Sequence, residues 1–214
     1  MEWAPFIAAY GVWLVAAFIA LESIGAPLPA EAALIAAAVY AATTQDIDIG
    51  WLLTIASLAA IAGNIAGYWL GRRYGYRLLM RYGHRLGLTE SRIKIGQWLF
   101  LRYGGRFVFV ARFLPFLRNM AAVLAGAHRM PKMRFCLASS AAAVAWVLTF
   151  GLAAYAFGDA FAHATSPATL ALAAIALTIV VGLPFAILRW EKRLLARAEH
   201  AIPDLPHPLD RPTV

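Results

Sequence analysis

Four charged side chains stand in stretches of the sequence that are otherwise apolar. Glu22 and Glu31 flank a proline-containing break, and Arg112 and Arg118 flank a second break at Pro115. A charged side chain in a bilayer interior costs about 2.5–3.5 kcal/mol on insertion scales, so such residues persist where they face a cavity, a partner or a substrate. Two acids at one break and two arginines at the other indicate a transport site for an anion.

The arginines are the residue type that suits a phosphate group. A planar guanidinium matches phosphate oxygens in a bidentate fork and keeps its charge at cellular pH. On an unbroken helix, residues six apart such as Arg112 and Arg118 would point to opposite faces. A turn at Pro115 lets both point at one spot. A purely structural pairing with Glu22 and Glu31 stays open, and both roles are compatible if the acids occupy the arginines when no substrate is present.

The two glutamates are also candidate proton carriers. Glu31 follows Pro29 at the start of a predicted helix, where the helix dipole favours an acid, so a purely structural role is open for it. Glu22 has no such explanation. We therefore predict that both acids bind near the substrate and couple its movement to protons.

Further residues complete the candidate site. Asn64 is expected to hydrogen-bond across to a hairpin, and Arg102 begins the second apolar stretch, where it would guide an anionic headgroup inward. The predicted structural breaks are Pro27, Pro29, Pro115 and Gly126.

Glycines and histidines indicate packing rather than chemistry. Gly63, Gly67 and Gly71 repeat at four-residue spacing, a pattern typical of close helix packing in membranes. His84, His128 and His163 show no spacing of metal ligands, so neither a metal nor another cofactor is expected.

The elements that must position these residues are membrane helices. Hydrophobic residues make up 62% of the 214 residues and charged residues 14%, whereas a soluble domain has about 25% charged residues. The net charge is +8, yet no Lys or Arg precedes Arg72. Cytoplasmic loops of membrane proteins collect Lys and Arg, which explains the basic clusters without nucleic acid as a partner.

Three segments reach the roughly 20 apolar residues of a full span. They are predicted at about 51–70, 135–157 and 168–188. The basic segment 71–98 is predicted to be an interfacial helix and loop on the cytoplasmic side. The proline-rich tail 199–214 is predicted to be disordered in the cytoplasm.

The second apolar stretch, about 99–127, is predicted to enter and leave the membrane on one side. If it crossed fully, the basic segments 128–134 and 189–197 would both lie outside, against the positive-inside rule. A re-entrant hairpin keeps both of them, and the C-terminus, in the cytoplasm. A first hairpin at about 12–43 is predicted to enter from the outer face, although a full span at 6–22 followed by a short re-entrant loop stays open.

We therefore predict an all-α integral membrane protein with one transmembrane domain over residues 1–198. A re-entrant hairpin plus a span is followed by an inverted hairpin plus a span, and then by an extra C-terminal transmembrane helix. Inverted repeats with broken helices that meet near the midplane are a transporter architecture.

Three segments carry a resemblance to a known family. ESIGAPLPAE (22–31) resembles the E…PxPGE segment of the DedA family of membrane proteins, and GNIAGYWLGRRYG (63–75) resembles its GDxxxYxxGRxxG segment. Residues 100–146 are similar to its FxRxG…RFxPxxR…AG…M…F…N…G…W pattern. The chain departs from these patterns at four positions, which are Ala30 for Gly, Asn64 for Asp, Ser139 for Asn and Ala142 for Gly.

The resemblance implies facing re-entrant loops and a role in returning undecaprenyl phosphate, the cell-wall lipid carrier, to the cytoplasmic leaflet. The acids and arginines that the family is thought to need fall on Glu22, Glu31, Arg112 and Arg118. The expected protein is a proton- or ion-coupled flippase of the bacterial cytoplasmic membrane, multi-pass, with a cytoplasmic C-terminus. The departure at Asn64 speaks against a charge or proton role at that position.

Other functions are distinguishable. A proton-coupled small-ion transporter that maintains membrane potential and a general phospholipid scramblase are the alternatives kept open. An enzyme would need a nucleophile with a base or a set of metal carboxylates, and the motif region has neither, so no enzymatic activity is expected. The expected partners are the bilayer, an anionic polyprenyl-phosphate lipid and protons or another coupling ion; homo-oligomerisation stays open.

Overall fold

The structure, a computed structural model, describes residues 4–26, 28–82, 108–109, 111–112 and 115–162, together with the single positions 171, 174, 175, 178 and 189. Over these ranges the chain is helical and contains no β-strand, which confirms the prediction of an all-α fold. The main helices are α1 (Ala4–Ile24), α2 (Ala30–Thr44), α3 (Ile49–Tyr82), α4 (Pro115–Ala127) and α5 (Lys132–Ala162).

Two of these helices are long and apolar enough to cross a membrane. They are α3, over Ile49–Tyr74, and α5, over Lys132–Ala162. Both extend beyond the predicted spans. Helix α3 continues past Leu70 to Tyr82, because residues 71–82 contain no proline and are rich in Arg, Leu and Met, which favour helix.

Several predicted elements fall on other parts of the chain. Of the third span predicted at 168–188, only positions 171, 174, 175 and 178 are described, and they are helical. The tail 199–214, the larger part of the basic segment 71–98 and the start of the second hairpin at 99–107 lie outside the described residues. The prediction of a break around Pro27 and Pro29 agrees with the end of α1 at Ile24 and the start of α2 at Ala30, although Pro27 itself is not among the described residues.

The chain divides into two compact units, which differ in their content of charged residues. Unit 1 comprises Met1–Glu22, Leu28–Gly63 and Ala143–Ala186, and unit 2 comprises Ser23–Pro27, Asn64–Ala142 and Ile187–Val214. All 19 Lys and Arg residues belong to the ranges of unit 2. The ranges of unit 1 contain six of the 11 acidic residues and no basic residue. Both α3 and α5 contribute residues to each unit.

Within unit 1, local capping fixes the ends of α2 and the start of α3. Pro29 precedes α2, and its carbonyl accepts a hydrogen bond of 3.1 Å from the N–H of Ala33. Gln45 ends α2 in the left-handed region, with φ of 60°. The carboxylate of Asp48 accepts a bond of 2.7 Å from the N–H of Trp51, the usual arrangement of an acidic N-cap.

Within unit 2, α4 packs against the second half of α3 at a point where neither helix has a side chain. A Cβ on Gly71 would overlap the carbonyl oxygen of Val123, and a Cβ on Gly126 would overlap that of Tyr68. A Cβ on Gly67 would lie 3.2 Å from that of Ala122. The predicted role of the glycine stripe in close packing is thus confirmed for Gly67 and Gly71.

The prediction that Gly126 is a structural break is wrong. Gly126 lies inside α4, and the chain turns at Arg129, which has φ of 52°. The N–H of Met130 donates to the oxygen of Ala125 at 3.0 Å, and the N–H of Arg129 donates to that of Gly126 at 2.9 Å. This pair of bonds is a Schellman motif, with arginine at the position that glycine usually occupies. Gly126 serves the contact with α3 instead.

Candidate functional site

Arg112 is a buried cation within unit 2. It follows a short helical segment, and its N–H donates a bond of 3.3 Å to the carbonyl of Phe109. Only 6% of the residue surface is exposed. Its guanidinium donates a bond of 2.9 Å to Oδ1 of Asn64 and weaker bonds of 3.3 and 3.4 Å to Oγ of Ser23. Side-chain oxygens that carry no charge therefore accept hydrogen bonds from a buried positive charge.

Asn64 and Ser23 are also buried polar residues, and each needs a hydrogen-bond partner of its own. Asn64 is on α3 and is 4% exposed, and Ser23, in the last turn of α1, is 5% exposed. The guanidinium of Arg112 provides donors to both of them. Asn64 was predicted to hydrogen-bond across to a hairpin; it accepts a bond from Arg112, and the hairpin itself stays a prediction.

Arg118 contributes to the same part of unit 2. Pro115 is the first residue of α4, a position that suits proline because the first N–H of a helix has no intrahelical acceptor. Arg118 follows within the first turn, and its Nε atom is buried.

Both arginines line one small cavity of about 10 Å³. Asn64 lines it too, together with Val108, Ala121, Ala122, Phe135, Ser139 and Ala142. A cavity of that size holds about one water molecule. Two arginines thus line one small, largely apolar cavity, and a phosphate group would fit there only if the lining moved apart.

A tyrosine holds one wall of this cavity. The ring of Tyr68 stacks on that of Phe135, a lining residue, with 4.6 Å between ring centroids. The hydroxyl of Tyr68 donates to the carbonyl of Met130 at 2.5 Å and accepts a bond of 2.9 Å from Arg72. These contacts fix the turn between α4 and α5 to α3. Tyr68 therefore packs against the lining residue Phe135 and does not itself line the cavity.

The predicted acids belong to unit 1. Glu22 is 7% exposed and lies two residues before the end of α1, and Glu31 is half-buried in the first turn of α2. Glu22 directly precedes Ser23 in the chain. Their proximity to the arginines and their role in proton coupling stay predictions.

The remaining predicted residues are placed as follows. Arg102 and Pro27 lie outside the described residues. Pro29 and Pro115 each stand at the beginning of a helix. The described residues contain no group of three or more His, Cys, Asp or Glu side chains that could hold a metal ion.

Sequence reasoning missed Ser23, Ser139 and Tyr68. Ser23 and Tyr68 lie inside the segments 22–31 and 63–75 that carried the family resemblance, so their positions were visible but not their contacts. Ser139 is buried and lines the cavity at a place where the family pattern has Asn.

Comparison with known proteins decides the family. The VTT domain matches residues 28–156, more than half of the chain. The chain belongs to the VTT-domain family, the DedA family of membrane proteins. The match covers α2 through most of α5, and so includes both arginines, Asn64 and Glu31.

Relatives across bacteria support this membership. An uncharacterized membrane protein of Mycobacterium tuberculosis is 33% identical over 192 residues, which are 87% of this chain and 86% of the relative. One from Synechocystis is 31% identical over 203 residues, 92% of each chain. The Escherichia coli protein DedA is 29% identical over 162 residues, 72% of this chain and 74% of DedA. No solved structure matches the chain significantly. These names, together with the two long apolar helices, assign the chain to a membrane.

Proposed function

We propose that this DedA-family protein transports an anionic lipid phosphate, undecaprenyl phosphate, from the outer to the cytoplasmic leaflet of the bacterial cytoplasmic membrane. The observation that carries the proposal is the pair Arg112 and Arg118 at one enclosed cavity. Burying an arginine is costly, and a stability role alone gives no reason for two of them to line the same space.

The hydrogen bonds of Arg112 describe a resting state of such a site. Asn64 and Ser23 offer neutral oxygens to the guanidinium, at 2.9 Å and at 3.3–3.4 Å. Bonds from a guanidinium to an anionic phosphate are shorter and roughly twice as strong as neutral ones. An arriving phosphate therefore replaces Ser23 and Asn64 as the acceptor. Until then, Asn64 and Ser23 hold the guanidinium of Arg112 in one orientation, which lowers the entropic cost of binding the phosphate.

The size of the cavity requires a conformational change during transport. At about 10 Å³ the space is too small for a phosphate, so the proposal requires that the lining move apart when the substrate enters. A carrier needs such an occluded state, because a path open at all times would be a channel for small ions. The acids Glu22 and Glu31 are proposed to take up protons in this cycle.

Charge distribution supports an orientation. The basic residues of the chain all belong to unit 2, and Lys and Arg are retained on the cytoplasmic side of membrane proteins. We propose that the ends of α3 and α5 in unit 2 face the cytoplasm. The surface there attracts an anionic headgroup, which fits delivery of the lipid phosphate to that leaflet.

The experiment is reconstitution of the purified protein into vesicles with labelled undecaprenyl phosphate, followed by leaflet accessibility of the label. Wild-type protein should move the label between leaflets, and Arg112→Lys should not. The matched control is Arg134→Lys, which changes an exposed arginine in the first turn of α5. Equal movement in protein-free vesicles, or in the Arg112→Lys variant, would refute the proposal.

A small-anion carrier is the second candidate, and the size of the cavity favours it. A space for about one water molecule also suits a small monovalent anion bound between two guanidinium groups. Ion flux in vesicles that lack any polyprenyl lipid distinguishes the two functions. Movement of ordinary phospholipids at the same rate as undecaprenyl phosphate would instead indicate a scramblase.

A further inference from the structure

The second half of α3 has two faces with different surroundings. One face, which includes Gly67, Tyr68 and Gly71, packs against α4 and the turn that follows it. Ala66, Trp69, Leu70 and Arg73 follow one another at the three- and four-residue spacing that places side chains on a single helix face. This other face lines an open groove of about 670 Å³, with Arg72 and Tyr74 beside it.

The groove changes character along the helix. Ala66 and Leu70 give it an apolar wall, and Arg72 and Arg73 follow directly on the apolar stretch of α3 that ends at Leu70. Trp69 and Tyr74 are 50% and 54% exposed. Exposed Trp and Tyr side chains at the end of an apolar stretch are typical of the headgroup region. The groove therefore offers hydrocarbon contact on one side and cationic groups at headgroup level.

A second helix adds charge to the same place. The ammonium group of Lys132, at the start of α5, lies 4.5 Å from the ring centroid of Trp69. Residues 64–142, which supply the described helices of unit 2, contain 14 Lys or Arg residues and a single acid, Glu90. Lys132 of α5 thus adds a cation at Trp69, a residue of the groove that Arg72 and Arg73 of α3 also line, and the surrounding sequence is almost devoid of competing carboxylates.

We propose that this groove is a binding site for an anionic phospholipid of the surrounding bilayer, separate from the arginine cavity. The phosphate lies at Arg72 and Arg73, and an acyl chain lies along Ala66 and Leu70. A guanidinium fork binds a phosphodiester well, and the apolar wall recognises the chain. The site is independent of which substrate is transported, because it is open to the side and its lining residues do not line the cavity at Arg112.

A specific lipid site can be distinguished by experiment from arginines that merely anchor the helix end at the membrane interface. Arginines that only place the helix end at the interface bind no particular lipid, whereas a groove retains one. Arg73 is the cleaner position to change, because Arg72 also donates to Tyr68 and so supports the α4–α5 turn.

The experiment measures lipid retained by the purified full-length protein in detergent, by native mass spectrometry, as phosphatidylglycerol or phosphatidylcholine is titrated. We expect phosphatidylglycerol to bind preferentially and Arg73→Gln to weaken it about fivefold, the worth of one basic residue near an anionic lipid. Arg72→Gln with Arg73→Gln should weaken it further. Arg134→Gln, which removes an exposed arginine of α5, should have no effect. Thermal unfolding of each variant checks that it is folded.

Two further arms locate the site and identify the source of the phosphate. A photoactivatable phosphatidylglycerol should crosslink to the α3 peptide that contains residues 66–74, and inorganic phosphate at millimolar concentration should not displace the lipid. Equal loss in Arg134→Gln and Arg73→Gln would mean a diffuse electrostatic surface and overturn the proposal. Unchanged binding in the double variant, or displacement by inorganic phosphate, would overturn it too.

Discussion

The guanidinium of Arg112 donates a hydrogen bond of 2.9 Å to the side-chain oxygen of Asn64, a residue 48 positions earlier in the chain. The bond ties the segment before α4 to the middle of α3, inside unit 2. It also joins a position that matches the family pattern, Arg112, to one that departs from it. Where the family pattern has an acid, this chain has a neutral amide, so the positive charge of Arg112 is not neutralised at that position.

The first prediction concerns this bond. Asn64→Ala removes the acceptor and leaves a buried guanidinium with a lost hydrogen bond, which should lower the free energy of unfolding by about 1–3 kcal/mol. Asn64→Asp restores the acid of the family pattern. It should keep the fold, but its carboxylate competes with an anion for Arg112, so affinity for lipid phosphate should fall. Thermal unfolding in detergent and lipid-binding titrations check the two variants. If Asn64→Asp bound the lipid more tightly than wild type, Arg112 would not be the phosphate ligand.

The second prediction concerns the shape of the arginine side chains. Arg112→Lys and Arg118→Lys keep the charge but lose the planar fork, so either change should severely reduce transport. The vesicle assay with labelled lipid measures the rate, and Arg134→Lys is the matched control. Normal transport in both lysine variants would show that charge alone suffices.

The third prediction concerns the glutamates. Glu22→Gln and Glu31→Gln mimic the protonated acids, so they should fold, bind anionic lipid at least as tightly as wild type, turn over slowly and lose the dependence of transport on pH. The titrating unit is expected to be a coupled cluster, not one residue. Binding affinity and transport rate, measured from mildly acidic to mildly alkaline pH, provide the test. Unchanged rates and an unchanged pH profile would remove both acids from the mechanism.

The fourth prediction concerns the contact between α3 and α4. Gly71→Ala places a methyl group into the backbone of Val123, where it would overlap the carbonyl oxygen. Gly67→Ala meets the Cβ of Ala122 at 3.2 Å and the carbonyl oxygens of Ser23 and Ile24 at 3.3 and 3.5 Å, which are much milder contacts. Overpacking costs about 1–3 kcal/mol where side chains can adjust, and backbone cannot adjust as easily. Gly71→Ala should therefore lower the unfolding temperature markedly more than Gly67→Ala. Equal effects would mean that the helices can separate at little cost.

The fifth prediction concerns topology. With Cys136 replaced by serine as the background, a cysteine at the exposed Met133 should react with an impermeant reagent from the cytoplasmic side alone. A cysteine at the exposed Asp46 or Asp159 should react from the outside alone. Labelling of position 133 from outside would contradict the re-entrant hairpin, because that prediction requires the basic segment 128–134 to lie in the cytoplasm.

Hydropathy and charge predicted the all-helical fold and its two long apolar helices, but not the contacts between side chains. Pro115, between Arg112 and Arg118, was enough to predict that both could point at one spot, because proline cannot continue a helix from the preceding turn. The residues that accept hydrogen bonds from Arg112 could not be predicted from the sequence. Ser23 lies 89 residues away along the chain, and no local pattern states which hydroxyl a distant guanidinium will meet.

Helix continuity and turn positions were also beyond the sequence pattern. The span predicted to end at Leu70 and the interfacial helix predicted after it form one continuous helix to Tyr82, because hydropathy marks where lipid ends and says nothing about where backbone hydrogen bonds stop. Gly126 was mistaken for a break since glycine serves both turns and close contacts, and the true turn uses Arg129, an uncommon residue for a left-handed position. Such choices depend on the neighbouring helix, which the local sequence does not contain.

The reciprocal fit of Gly71 and Gly126 also sets the register between α3 and α4. A shift of α4 along α3 by one residue would bring the side chain of Ala125 or Ala127 against a carbonyl group of the other helix. The backbone contact thus acts as a steric key with one matching position. Arg118 on α4 and Asn64 on α3 owe their relative placement along the two helices to a pair of residues that have no side chain at all.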